Sequence, residues 1–225
     1  MLVREILVEN LGPAEELVKI SLKDRNDPEK LGLIFTEQIW PILEKNCSEI
    51  LKVYKSAGKF LYRGVKTGNM ATIKARVRTD RKPGFLPPKL QELADEVAKE
   101  MGAKALRGNS LFCSTKEDIA GTWGAAYIVF PRNGFDVTFF EGMKDDYMYT
   151  HLANFDSYGL DAKHRRENTK KQIEKLFISK KINTKKSDMV QAMTSKTTEY
   201  LIAIDSYIGL NVEFFDDLVS NKLGI

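Results

Sequence analysis

The stretch from Ser110 to Phe140 constrains this chain most. It holds three short apolar runs, Ser110 to Cys113, Ala125 to Phe130 and Phe135 to Phe140. Each is too short for a typical helix, and each is bounded by polar or turn residues, so they read as strands. Ala125-Ala126-Tyr127-Ile128-Val129-Phe130 offers no polar position to water and predicts a buried strand, stopped by Pro131. Asn133-Gly134 is a strong turn signal, and alternation puts Phe135, Val137 and Phe139 on one face of the next strand. A sheet of this kind needs covering layers, and the rest of the chain supplies helical patterns for them.

Residues 1 to 58 read as helical. Leu31, Leu33, Ile34, Ile39, Ile42, Leu43, Ile50, Leu51 and Tyr54 recur at roughly three and four. Asn26-Asp27-Pro28 signals a helix start, Pro41 a restart or kink, and Ser56-Ala57-Gly58 the end. This segment predicts a helical layer packed on a main domain of residues 59 to 225. Lys89 to Met101 reads as an amphipathic helix with Leu90, Leu93, Ala94, Val97 and Ala98 inward and Gly102 as its cap. Residues 70 to 88, with Lys74, Arg76, Arg78, Arg81 and Lys82, read as a basic loop; residues 187 to 198 also read as loop. Glu199 to Asp205 predicts a strand, with Tyr207 to Phe215 as its partner and Asp216 to Ile225 as a short tail.

Composition excludes several classes. Of the 225 residues, 43% are hydrophobic and 29% charged, ordinary values for a globular chain with a sizeable core. No apolar run reaches the ~18 residues of a membrane span, and Met1-Leu2-Val3-Arg4-Glu5 lacks the order of a signal peptide. Two cysteines, Cys47 and Cys113, make no disulfide framework, which predicts a reducing, cytoplasmic setting. Those cysteines and the two histidines, His151 and His164, show no metal-ligand spacing. The net charge of +4 is too weak to argue for nucleic acid. Its distribution says more: residues 161 to 186 hold ten Lys or Arg against Asp161, Glu167 and Glu174. That segment is either a solvated helix face with a loop or a surface for RNA or DNA.

Three strand ends carry side chains suited to chemistry. Phe60-Leu61-Tyr62-Arg63-Gly64 puts an Arg at one, where its planar fork suits phosphate and Gly64 permits close approach of a ligand. Phe112-Cys113-Ser114-Thr115-Lys116 puts hydroxyls at another, where they also suit the start of a helix over 116 to 122. Thr197-Thr198-Glu199 puts a carboxylate at the head of the strand Tyr200 to Ile204. Taken singly, each has a plain alternative: a surface Arg, a helix cap, a surface Glu.

Together, in this order, Arg63, Ser114 and Glu199 resemble the Arg-Ser-Glu class of ADP-ribosyltransferases over roughly residues 60 to 215. The resemblance implies an α+β fold of two packed, mainly antiparallel sheets with a NAD cleft and surrounding helices. It implies that Arg63 anchors NAD through its phosphates, with Gly64, Phe112, Ser114 and Thr115 at the NAD site. Ser114 would brace Glu199, the catalytic acid. Lys116 stands where the family's Ser-Thr-Ser element has its second Ser. Thr197 stands on the acceptor side, where arginine-modifying members carry Glu, so an arginine acceptor is not expected. The implied activity is mono-ADP-ribosyl transfer to a macromolecule, with RNA or DNA slightly favoured over protein. Small phage proteins and bacterial toxins are the nearest kind, with an antitoxin as a partner in the latter case. Phe112, Phe139 and Phe140 are the candidates to stack on nicotinamide. Glu213 and Glu141 compete with Glu199 less well, because a full strand follows Glu199. The rivals are a NAD glycohydrolase and a non-catalytic nucleic-acid-binding module.

Overall fold

The computed structural model describes residues 20, 22–66, 70–77, 86–141, 148–155, 160, 162–195 and 199–225. It is an α+β protein. In chain order the helices are α1 (Leu22–Arg25), α2 (Pro28–Ile34), α3 (Trp40–Asn46), α4 (Ser48–Ala57), α5 (Pro88–Glu100), α6 (Glu117–Gly121), α7 (Met148–Leu152), α8 (Lys163–Ser179), α9 (Met189–Thr194) and α10 (Val212–Leu223). The strands are β1 (Tyr62–Val65), β2 (Thr72–Arg76), β3 (Leu111–Ser114), β4 (Ala125–Pro131), β5 (Asp136–Phe140), β6 (Ile182–Asn183), β7 (Glu199–Ala203) and β8 (Ser206–Asn211). The ladders described for them are antiparallel.

The chain divides into two compact units. The first takes the described residues of Val8–Val77, Cys113–Phe135 and Ile204–Ile225. Its strands run β2-β8-β4-β1, and the end of β3 joins β1 through Tyr62↔Ser114. The N-terminal helices pack on this ladder. Tyr54 of α4 donates to the Val129 carbonyl and meets Phe60 and Phe130 edge-on at 5.3 and 5.8 Å. Phe35 lies 5.9 Å from Phe215 of α10. A π-helical turn, Phe35–Ile39, precedes Pro41, whose missing N–H cannot continue the ordinary ladder. Gly58 ends α4 at φ 61° and donates to the Tyr54 carbonyl, as the sequence predicts.

The second unit takes the described residues of Arg78–Phe112 and Asp136–Ala203. Its strands run β7-β5-β6, with Val137↔Ile202 and Phe140↔Ile182 in register. The predicted inward face of α5 packs with Phe140, Met148, Leu152, Ile173 and Phe177. Gly102 closes that helix at φ 90°.

Several expectations fail. Glu199–Ala203 and Ser206–Asn211 do not pair with each other: β7 pairs with β5, whereas β8 pairs with β2 and β4. The expected tail is α10, because Asn211 caps a helix by accepting from the Glu213 N–H at 3.0 Å. Within the expected basic loop, Thr72–Arg76 is a strand with Lys74 and Arg76 exposed. Within the expected loop after 187, Met189–Thr194 is helix, burying Met189, Ala192 and Met193. The basic segment is largely α8, which buries Ile173 and Phe177.

Candidate active site

Among the described residues only two charged side chains are buried, Arg63 and Glu199, at 8% and 3% exposure. Both are residues the strand-end pattern singles out. They belong to different units and are taken in turn.

Glu199 opens β7, where the chain enters the core beside Tyr200, Leu201 and Ile202. Its Oε2 accepts from the Met148 N–H at the start of α7, at 3.2 Å. Its Oε1 accepts from Nη1 of Arg107 at 3.3 Å. Burial raises the pKa of Glu199, opposed by the Arg107 guanidinium and the Met148 N–H. The turn that carries Arg107 is fixed from three sides. Asp95 of α5 accepts from the Arg107 and Gly108 N–H groups at 2.9 and 3.0 Å. Asn109 accepts from the Leu106 N–H at 2.8 Å and donates to the Lys104 carbonyl at 3.2 Å. The guanidinium lies over the Phe112 ring at 4.7 Å. Beside this group is a cavity of about 10 Å³ lined by Asp95, Arg107, Thr138, Met148 and Leu201. It holds one water-sized molecule at most, far below the ~300 Å³ of a nucleotide-scale pocket.

Phe112 therefore carries Arg107 on its ring. The two other aromatic candidates lie in the core. Phe139 packs on Tyr200 at 5.4 Å and Phe140 on Phe177 at 5.2 Å, with 0% and 3% exposure. Glu213 is exposed in the first turn of α10, and Glu141 accepts from Asn183 at 2.7 Å.

In the other unit, Tyr62 stands opposite Ser114 and Arg63 opposite Tyr127. Cross-strand partners share a face and neighbours along a strand alternate. Ser114 thus leaves the ladder on the side of Tyr62 and Gly64, and Arg63 on the side of Tyr127 and Val65. Ser114 Oγ accepts from the Lys116 N–H at 3.0 Å, which turns the chain toward α6 past half-buried Thr115. Gly64 has a packing reason: a Cβ there would lie 2.0 Å from the Ala120 carbonyl oxygen and 2.8 Å from Trp123 Cβ. Its openness is taken up by α6. Thr197, Arg78, Arg81 and Lys82 lie outside the described residues.

Arg107 and Asp95 escape a sequence reading built on strand ends. A usable signal was present: Arg107-Gly108-Asn109 is turn chemistry directly before a strand. Asp95, beside Ala94 and near Val97, is an acid at the edge of an apolar face.

No family model matches this chain, nor does any curated protein or solved structure. Among the described residues no group of His, Cys, Asp and Glu is arranged to hold a metal, and no helix is long and apolar enough to cross a membrane.

Proposed function

We propose that this protein is a NAD-dependent mono-ADP-ribosyltransferase, with a fold of the ADP-ribosyltransferase type, in which Glu199 is the catalytic carboxylate. The observation that carries the reading is the burial of Arg63 and Glu199, and of no other charged residue among those described. Burying a charge is unfavourable unless it is matched, so such residues concentrate where chemistry needs them.

Cleaving the bond between nicotinamide and ribose builds positive charge on the sugar, as in glycoside hydrolysis. A carboxylate fixed in a poorly hydrated setting stabilises that charge far more than one in water. Glu199 has that setting: 3% exposure, one backbone N–H and one guanidinium. On the same reading Arg63 takes the phosphates from its place in β1. The acceptor is a macromolecule, with nucleic acid ahead of protein because exposed Lys163, Arg165, Lys171 and Lys175 line α8.

The test is transfer of label from NAD into cell extract, with portions digested by protease, RNase or DNase. Label that needs Glu199 and vanishes with one digestion establishes the activity and the acceptor class. Vigorous NAD loss without labelled product makes the protein a glycohydrolase. A folded protein that neither labels nor consumes NAD overturns the proposal. The second reading, a nucleic-acid-binding module, rests on the same exposed cations of α8. It predicts salt-sensitive RNA or DNA binding that survives Glu199→Ala.

A further inference from the structure

We infer that Arg107 is a positioning residue for the Glu199 carboxylate, and that Asp95 sets Arg107 by gripping the backbone of its turn. The inference rests on the catalytic reading of Glu199, but its contacts stand without it.

A carboxylate at the head of a strand has free rotation about three side-chain bonds unless something fixes it. The Met148 N–H fixes one oxygen of Glu199, at 3.2 Å. The Arg107 Nη1 fixes the other, at 3.3 Å. With both oxygens held, the plane of the carboxylate is set. Arg107 is in turn constrained on two sides. Its flat guanidinium lies on Phe112 at 4.7 Å, so the head cannot tilt toward that ring. Its backbone is pinned by both oxygens of Asp95, at 2.9 and 3.0 Å from the Arg107 and Gly108 nitrogens. A Cβ on residue 108 would meet Asp95 Oδ2 at 3.1 Å, so glycine permits that close approach. The chain of control runs from α5 through Asp95 and Arg107 to Glu199.

Arg107 is also the charged neighbour that favours the ionised form of Glu199. From α7 comes the Met148 N–H. On β5 the titratable residue is Asp136, opposite Ala203 at the far end of the ladder. Asp95 faces Arg107's backbone from α5. Its own carboxyl is pushed up by burial, against the two N–H groups and Arg107.

The test compares wild type, Arg107→Gln, Arg107→Lys and Asp95→Asn, each checked for folding by circular dichroism. The direct readout is the ¹³C titration of the Glu199 carboxyl, assigned by its loss in Glu199→Gln. Arg107→Gln is expected to move that titration to higher pH, and Arg107→Lys to restore most of it. In NAD turnover, kcat is expected to fall about 100-fold in Arg107→Gln, with KM little changed and the acid limb moved the same way. Asp95→Asn, which keeps one of two acceptors, is expected to fall between. An unmoved Glu199 titration in folded Arg107→Gln overturns the inference. If Arg107→Gln does not fold, an unmoved Glu199 titration in folded Asp95→Asn overturns it. A wild type inert toward NAD removes the catalytic reading of Glu199, and the carboxyl titration still decides whether Arg107 holds it.

Discussion

Replacing Gly64 with alanine tests the tightest backbone approach described in the first unit. The added Cβ would sit 2.0 Å from the Ala120 carbonyl oxygen, 3.1 Å from its carbon and 2.8 Å from Trp123 Cβ. An ordinary C···O contact is about 3.3 Å, so strand and helix must part by about 1.3 Å. Neither side yields easily. β1 is paired to β4 at four positions, from Tyr62↔Ile128 to Val65↔Ala125. The turn after α6 is held at Gly124, where φ is 145° and a Cβ would lie 2.6 Å from the Val65 carbonyl oxygen. Overpacking a fixed core costs about 1–3 kcal/mol, and a clash against backbone belongs at the upper end, about 3 kcal/mol. For a chain of this size that lowers Tm by about 6–12 °C. Gly121→Ala is the matched control. It lies in the same helix with nothing within 4 Å of the new methyl. It should stabilise by about 0.5–1 kcal/mol through helix propensity alone. Urea unfolding followed by circular dichroism reads both. A Gly64→Ala variant within about 0.5 kcal/mol of wild type would refute the packing argument. Weakened NAD binding at unchanged stability would return Gly64 to a ligand role.

Other outcomes follow from the buried groups. Burial lifts the folded-state pKa of Glu199 above its ordinary value of 4.5. The folded chain then keeps a proton that the unfolded chain releases, so this group's stabilisation is full below that value and lost as pH rises through the folded one. Glu199→Gln should therefore gain stability relative to wild type from about pH 4.5 upward; a constant difference in urea midpoint would contradict this. Arg107→Met alone should cost about 3–5 kcal/mol, while Arg107→Met with Glu199→Leu should recover most or all of that loss. A double variant no more stable than the single would show that the pair adds net stability. Burial pushes the Cys47 thiol up to about 12, leaving about one thiolate in ten thousand at pH 8. Native protein should resist Ellman's reagent at Cys47 until urea unfolds it, and prompt native labelling there would show the site opens. Lys170 bridges Glu96 and Glu100 at 2.8 and 2.6 Å, so Lys170→Met should speed amide exchange in α8, as high salt should in wild type. Unchanged exchange would mean that the apolar contacts alone hold that helix.

The elements read correctly are those whose signal is local. The apolar stripe of α5 and the glycines at 58 and 102 state their roles within one or two turns of chain. Pairing is not local. The Asn133-Gly134 turn closes no hairpin, because β4 and β5 take different partners. Asn133 Oδ1 instead accepts from the Glu49 N–H at 3.0 Å, capping α4 from 84 residues away. The expected pairing of β7 with β8 fails for the same reason, because their partners β5, β2 and β4 are distant in the sequence. Thr72-Ile73-Lys74-Ala75-Arg76 alternates in sequence and forms a strand that leaves its cations, Lys74 and Arg76, exposed. Asn211 followed by Glu213 is a helix start hidden behind a strand-like aromatic run. Of the candidate site, Ser114 and Glu199 stand at strand ends as the sequence places them, whereas Arg63 lies inside β1, opposite Tyr127, rather than at its end. Arg107 was not legible in the sequence, because its meaning comes from a contact 92 positions along the chain.

The pair of Glu199 with partly buried Arg107 is a weak device for stability, and that bears on what Glu199 is for. Withdrawing two charges from water costs several kcal/mol each, and their attraction offsets this only when every remaining polar atom is matched. Here the match is incomplete: Arg107 Nε is buried with no hydrogen-bond partner, and so is the nearby Thr138 Oγ1. The contact itself, at 3.3 Å, is longer than the 2.7–2.9 Å of a strong charge-assisted bond. Leucine and methionine of similar volume would fill the same space among Phe140, Met148 and Leu201 without those penalties. A chain selected for stability alone has little reason to keep an acid at the head of β7. A chain that stabilises a developing cation there has a direct one, since a desolvated carboxylate held at two oxygens needs no rearrangement when the charge appears. On the proposed reading the incomplete pairing has a use: a guanidinium that gripped Glu199 through two short bonds would neutralise the charge that ADP-ribosyl transfer would draw on.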